Sequence, residues 1–226
     1  MSDLNKPISP DEEPSTSKVI KKKLTLVLVV IVIGAVILFD IFMRADQTPF
    51  NSLDPRRSKG SMSEAALQIV EFVDFQCIEC AHGAYLLQEY MQRYPEGISL
   101  SVKYYPLGDL NSGLSARYAH CMAEQDKFWP YHDLLFRHQA SWRSLHVVEP
   151  YLKGLAQDLG ARVEELSVCV EAKETRKIIF QERLMGDSYF VKMTPTYFVD
   201  GEMVVGAQEL EKVLRQFFEN QMDEYM

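Results

Sequence analysis

The stretch Leu67-Gln68-Ile69-Val70-Glu71-Phe72-Val73-Asp74-Phe75-Gln76-Cys77-Ile78-Glu79-Cys80-Ala81-His82 decides how the rest of the chain is read. An apolar run of strand type (Leu67, Ile69, Val70, Phe72, Val73, Phe75) leads into two cysteines separated by two residues. An amphipathic helical pattern follows, with Tyr85, Leu86, Leu87, Tyr90 and Met91 as its apolar positions. A Cys-x-x-Cys between a strand and a helix is the setting in which this short motif signals redox chemistry.

The chemistry comes from the helix start. A sulfur at Cys77 would sit among unpaired backbone N–H groups at the positive end of the helix dipole. Such positions lower a cysteine pKa from about 8.5 into a range of roughly 3.5–7.5. Cys80, one turn on, would lie underneath and close enough to form a disulfide. Cys77 is therefore the expected nucleophile and Cys80 the resolving thiol. Glu79 works against the thiolate, because a nearby negative charge disfavours it. On a regular strand Glu71 shares a face with Ile69 and Val73, where an acid under the helix would exchange a proton with Cys80. Read from the residue alone, a solvated strand carboxylate is an equal alternative.

Other uses of the pair are weaker. Cys121 and Cys169 stand alone in the sequence, so a second zinc knuckle is missing, and Ala81 stands where haem attachment needs His. Cys77, Cys80 and His82 as a Cu(I) site is the competing binding reading. No metal and no cofactor is expected.

Upstream, residues 1–23 hold Pro7, Pro10, Pro14, several Ser and mixed charges without apolar periodicity, and read as a disordered cytoplasmic tail. Lys21-Lys22-Lys23 then abuts Leu24 to Phe39, sixteen residues without a charge. Extended to Met43, the segment suits a transmembrane signal-anchor over 24–43, since twenty helical residues span about 30 Å. A signal peptide cleaved after Ala45 is the alternative. Lysines precede the segment and only Arg44 follows closely, which keeps the N-terminus cytoplasmic and places the rest in the periplasm or its equivalent, as a single-pass inner-membrane protein. All four cysteines lie on that oxidising side. Residues 44–64, holding Pro49, Asn51, Ser52, Pro55, Ser58, Gly60, Ser61 and Ser63, read as a linker. The chain carries −8 overall and the exported part −9, which argues against nucleic acid and anionic lipid surfaces as partners.

The domain expected over 65–226 continues with alternation from Ile98 to Tyr104, a second strand. A helical block follows (Leu114–Glu124, Lys127–Phe136, Val147–Leu159, Val163–Leu184), then a hairpin of Thr196–Val199 and Met203–Val205 around Asp200-Gly201, and a closing helix with Leu210, Val213, Leu214, Phe217 and Phe218. The fold class is α/β, one small sheet with helices around it. Cys121 and Cys169 fall on separate predicted helices, and two leftover cysteines in an exported domain favour a structural disulfide. Phe128, Trp129, Tyr131 and Phe136 at helical spacing read as core rather than as a substrate platform, and His120 and His132 as structural or exposed.

Three motifs in this order, Glu71-Phe72-x-Asp74-Phe75-x-Cys77-x-x-Cys80, Phe128-Trp129-x-Tyr131-His132-Asp133-x-Leu135-Phe136 and Thr194-Pro195-Thr196-x-Phe198-Val199-Asp200-Gly201, resemble the DsbA-like thioredoxin-fold family over about residues 65–220. The resemblance implies a thioredoxin-like fold with a helical insertion at about 107–188. It implies a thiol–disulfide oxidoreductase acting on cysteine-containing exported proteins, with a redox partner that re-oxidises or re-reduces the site. It also implies a cis Pro195 facing Cys77 and Cys80, Thr194 offering backbone contacts to substrate, and a buried acid at Glu71. Ile78 and Met193 depart from the family's frequent Pro and Gly, which leaves oxidase, isomerase and reductase all open. A thioredoxin-like interaction module without turnover is the remaining alternative.

Overall fold

The computed structural model describes residues 27–36, 53–61, 64–108 and 110–223, with side chains up to residue 219. The chain divides into two units, 1–48 and 49–226. In the first, residues 27–36 are helical, and Val27 to Ile33 and Val36 are all exposed. Among the described residues no helix is long and apolar enough to cross a membrane. The tail 1–23, residues 24–26 and 37–43 of the expected anchor, and residues 44–52 and 62–63 of the linker lie outside the described residues.

The second unit is built on a five-stranded mixed sheet in the order β1-β3-β2-β4-β5. The strands are β1 (Ser58–Lys59), β2 (Leu67–Val73), β3 (Ile98–Tyr104), β4 (Thr196–Val199) and β5 (Glu202–Val205). β2 runs parallel to β3 and antiparallel to β4, and β4 and β5 form the hairpin. Asp200 and Gly201 take φ of 48° and 91° at its tip, the left-handed backbone that an Asp-Gly turn favours. Joining β2 to a parallel β3 requires a crossover connection, and α1 (Ile78–Arg93) supplies it.

Helices cover both sheet faces, so β2 is buried from Ile69 to Val73 and β3 along its whole length. On one face Leu67 and Ile69 of β2 pack with Leu87 and Tyr90 of α1, Tyr197 of β4, and Leu210, Leu214 and Phe218 of the final helix α8 (Ala207–Asp223). On the other face Val70 and Phe72 meet Tyr105, Val191 and Phe198. Burying each such side chain stabilises the fold by roughly 1.5–3 kcal/mol.

The insertion comprises α2 (Leu110–Ala123), α3 (Phe128–Arg137), α4 (Gln139–Trp142), α5 (Glu149–Asp158), α6 (Val163–Glu171) and α7 (Lys173–Ser188). The run Val163–Leu184, read from sequence as one helix, is two, because Ala172 between them is extended (φ −62°, ψ 143°). Phe128, Tyr131 and Phe136 are core, as is Trp142, whose indole N–H donates to the Leu135 carbonyl at 2.8 Å. Trp129 is half-buried beneath the Lys59 ammonium, 4.0 Å from its ring.

The linker expectation over 44–64 fails for residues 54–59. Asp54 caps a short 3-10 turn, Pro55–Arg57, and β1 then pairs antiparallel with β3. Arg57 is buried and makes a bidentate pair with Glu182 (Nη1–Oε2 2.9 Å, Nη2–Oε1 2.6 Å), while donating to the Val102 carbonyl at 2.9 Å. Glu182 also accepts the Tyr104 N–H at 2.7 Å. A polar segment reads as linker when its partner stands 125 residues away. Paired and hydrogen-bonded on both sides, the buried guanidinium becomes part of the domain.

Candidate active site

The loop from β2 to α1 is fixed before the cysteines are reached. Asp74 is buried, its Oδ1 accepting the Gln76 N–H at 2.9 Å and its Oδ2 those of Leu107 and Gly108 at 2.8 and 3.2 Å. The Asp74 carbonyl accepts the Cys77 N–H at 3.0 Å. From the insertion, Gln139 donates through Nε2 to both the Phe75 and the Cys77 carbonyls, each at 2.8 Å. Gln76 reaches back to the Arg143 carbonyl at 2.7 Å. The insertion therefore braces the loop that carries the cysteines.

Cys77 is the N-cap of α1, in extended backbone (φ −77°, ψ 126°). Its thiol is half-buried and donates to the Thr194 carbonyl at 3.2 Å. A hydrogen bond from Cys80 draws the Cys77 thiol down to about 6, against partial burial, with Thr194 and the helix-start N–H groups of Cys80 and Glu79 assisting. Cys80, fully buried one turn on, is pushed well above the ordinary thiol value by burial, by its bond to Cys77 and by nearby Glu71. Glu79 opposes less than its position suggests. Its carboxylate is half exposed and lies 3.6 Å from His82 Nδ1, and water screens such a charge.

Glu71 lies on the β2 face that also carries Ile69 and Val73, and it is wholly buried. Burial, with Cys77 nearby, pushes its carboxyl up to about 8, and Tyr197 opposes that shift. The Thr194–Pro195 peptide is cis. Thr196 Oγ1 donates to the Met193 carbonyl at 2.7 Å, and Gly206 N–H to the Pro195 carbonyl at 2.9 Å, which fixes the loop opposite Cys77. Ile78 and Met193, chain neighbours of Cys77 and Thr194, are both exposed.

The structure thus brings Cys77, Cys80, Glu71, Thr194 and Pro195 to one place and leaves Cys121 and Cys169 elsewhere. Those two form a disulfide with Cα atoms 5.8 Å apart, joining α2 to α6. Among the described residues no cluster of His, Cys, Asp and Glu is suited to a metal ion. His132 is buried with Nδ1 2.9 Å from Asp133 Oδ1, and burial holds its pKa down despite that carboxylate. His120 is buried too. Sequence reasoning missed Asp74, Gln139 and Tyr197, whose roles depend on partners brought in by the fold.

A mixed sheet, a cysteine pair opening the first long helix and a cis-proline loop facing its first sulfur define a thioredoxin-fold protein. A family model described as Thioredoxin matches residues 59–217, and the chain belongs to that family. The fold is also that of a thioredoxin-like oxidoreductase from Silicibacter pomeroyi (TM-score 0.60, 22% identity, 74% of this chain and 94% of that one). Wolbachia pipientis alpha-DsbA1 is similar in fold as well (TM-score 0.63, 15% identity, 79% of this chain and 97% of that one). Among curated proteins, a Na(+)/H(+) antiporter NhaA of Herminiimonas arsenicoxydans is 25% identical over 150 residues, 66% of this chain. The chain spans only 23% of that protein's length.

Proposed function

We propose that this protein is a thiol–disulfide oxidoreductase that exchanges disulfides with exported protein substrates through Cys77 and Cys80. One observation carries the reading: half-buried Cys77 caps the helix with its sulfur 3.2 Å from the Thr194 carbonyl of the cis-proline loop, and Cys80 lies buried one turn on, a placement that lowers the first thiol and raises the second. In the reducing direction the Cys77 thiolate attacks a substrate disulfide, one substrate sulfur leaves as a thiolate, and a mixed disulfide forms. Cys80 gives its proton to Glu71 and attacks the Cys77 sulfur, releasing the second substrate thiolate and closing the Cys77–Cys80 disulfide. Oxidation of a substrate dithiol is the same sequence reversed. The Thr194 carbonyl, 3.2 Å from the Cys77 sulfur, offers a backbone acceptor to a substrate strand, and exposed Ile78 and Met193 offer it apolar contact.

The chain is anchored through 24–43 with its N-terminus cytoplasmic and its thiols outside. The lysine cluster before an uncharged segment and the exposed apolar side chains of residues 27–36 support this. A redox partner must reset the cysteine pair after each turnover, since every exchange changes its oxidation state. Insulin reduction and refolding of reduced ribonuclease test the reading. Turnover in at least one assay is expected, and failure in both together with tight Cu(I) binding replaces it with a binding module. A reporter fused after residue 60 is expected to be active only outside the cytoplasm, and a mature N-terminus near Asp46 would show a cleaved leader instead.

A further inference from the structure

Glu71 has no hydrogen-bond partner on either carboxylate oxygen among the described residues, and the same is true of the Tyr197 hydroxyl. Both side chains are fully buried. They are also direct cross-strand neighbours, since Glu71 of β2 pairs with Tyr197 of β4 in the antiparallel register. Side chains so paired share one face with Cβ atoms about 4.5–5.5 Å apart. That face lies under α1, where a Cβ on Gly83 would stand 1.8 Å from the Tyr197 hydroxyl oxygen. The helix has no side chain at the place where the hydroxyl rests, less than one turn beyond Cys80. A phenylalanine would fill the same apolar layer without burying a polar atom.

The geometry points to Tyr197 as a positioning residue for the buried acid. Its hydroxyl donates a hydrogen bond to the Glu71 carboxylate whenever that carboxylate is charged, and so keeps it ready for the Cys80 proton. This rests on the redox reading above. In the resolving step the Cys80 S–H proton passes to the Glu71 carboxylate while the Cys80 sulfur forms a bond to the Cys77 sulfur. The bond from Cys77 to the substrate sulfur breaks, and the substrate leaves as a thiolate with its electron pair. A carboxylate in a dry layer needs a donor to exist long enough for this transfer. Tyr197 supplies one without adding a charge. The electrostatic pattern agrees, because Tyr197 is coupled to Glu71, Cys80 and Cys77 and holds the Glu71 carboxyl below the value burial alone would give.

The test compares the full-length chain with Tyr197→Phe, Glu71→Gln and the double variant. Titration of the Glu71 carboxyl by carbon NMR, assigned with Glu71→Gln, is expected to move upward by about one pH unit in Tyr197→Phe, since a hydrogen bond to the charged form lowers a carboxyl pKa. Reduced protein mixed with glutathione disulfide releases one glutathione on Cys77 attack and a second on Cys80 attack. Tyr197→Phe is expected to leave the first release unchanged and to shift the pH profile of the second upward by the same unit. In the Glu71→Gln background it should have no further effect. An unmoved Glu71 titration, or equal slowing in both backgrounds, overturns the role of Tyr197. Absence of any glutathione release from the wild type overturns the oxidoreductase reading instead, and the Glu71 titration still decides between a donor and an inert phenol.

Discussion

The two cysteine pairs of this chain are the same chemistry placed in two environments. Cys77 and Cys80 share one helix and its start, with a carbonyl opposite one sulfur and a buried acid near the other. Their environments pull the two thiols in opposite directions. Cys121 and Cys169 sit on separate helices, 48 residues apart, and are joined in a disulfide with Thr175 Oγ1 3.9 and 3.6 Å from their sulfurs. Neither occupies a helix start, since Cys121 is near the end of α2 and Cys169 near the end of α6. A cysteine becomes reactive through a positive helix end and partial exposure. It becomes a staple through burial between two elements that need fixing. The difference lies in position, and substitutions in each pair should separate chemistry from stability.

The largest effect is expected at the first pair. Cys77→Ser should abolish exchange in insulin reduction, because buried Cys80 has no activated sulfur to replace it. Cys80→Ser should retain attack and accumulate mixed disulfides on non-reducing gels of whole cells. Adducts in Cys77→Ser with none in Cys80→Ser would mean the roles are reversed. At the second pair, replacing both Cys121 and Cys169 by Ser should leave exchange nearly intact and cost about 4 kcal/mol in denaturant unfolding, the chain-entropy value for a loop of this length. Loss of exchange with unchanged stability would erase the distinction between the pairs.

Glu71 sharpens the contrast through pH. Its carboxyl ordinarily titrates near 4.5 and is raised to about 8 in the fold. Between those values the folded chain holds a proton that the unfolded chain has released, so stability falls as pH rises across this window. Cys77 has the opposite sign: with its thiol lowered from 9.0 to about 6, it adds stability to the reduced protein that is complete above pH 9 and gone below about 6. Glu71→Gln should remove the acid's contribution, stabilising the protein at pH 8 by on the order of 2–4 kcal/mol and little at pH 4. A parallel offset at both pH values would show that Glu71 does not titrate as described.

Much of this was readable in the sequence, for physical reasons. Strand, cysteine pair and helix follow one another in the chain, so local periodicity and the helix dipole were enough to rank Cys77 above Cys80. Alternation along β2 also put Glu71 on the right face. That Glu71 is buried came from the family resemblance and not from alternation, which does not separate buried from solvated faces in a central strand covered on both sides. The residues that escaped notice act over long range. Tyr197 matters through the β2–β4 register, Gln139 through carbonyls 62 and 64 residues away, and Arg57 through Glu182. Composition reports local propensity, and none of these pairings is local.

The smallest expected effect joins the two regions. Gln139 belongs to the insertion yet holds two carbonyls of the cysteine loop, so Gln139→Ala leaves both without that donor. Thermal or denaturant unfolding should show a loss of about 1–3 kcal/mol. Exchange should slow modestly as the helix start loses its brace. A neutral result would indicate that water replaces the side chain and that the insertion contributes only through the core.

The central claim is that Cys77 alone is activated, by the hydrogen bond from Cys80 and by its place at the start of α1. The pH dependence of iodoacetamide alkylation of the reduced protein tests it directly. The account predicts one fast-reacting thiol with a midpoint near pH 6, abolished by Cys77→Ser and retained in Cys80→Ser. A midpoint near the ordinary thiol value of about 8.5, or a fast thiol that disappears in Cys80→Ser, contradicts it.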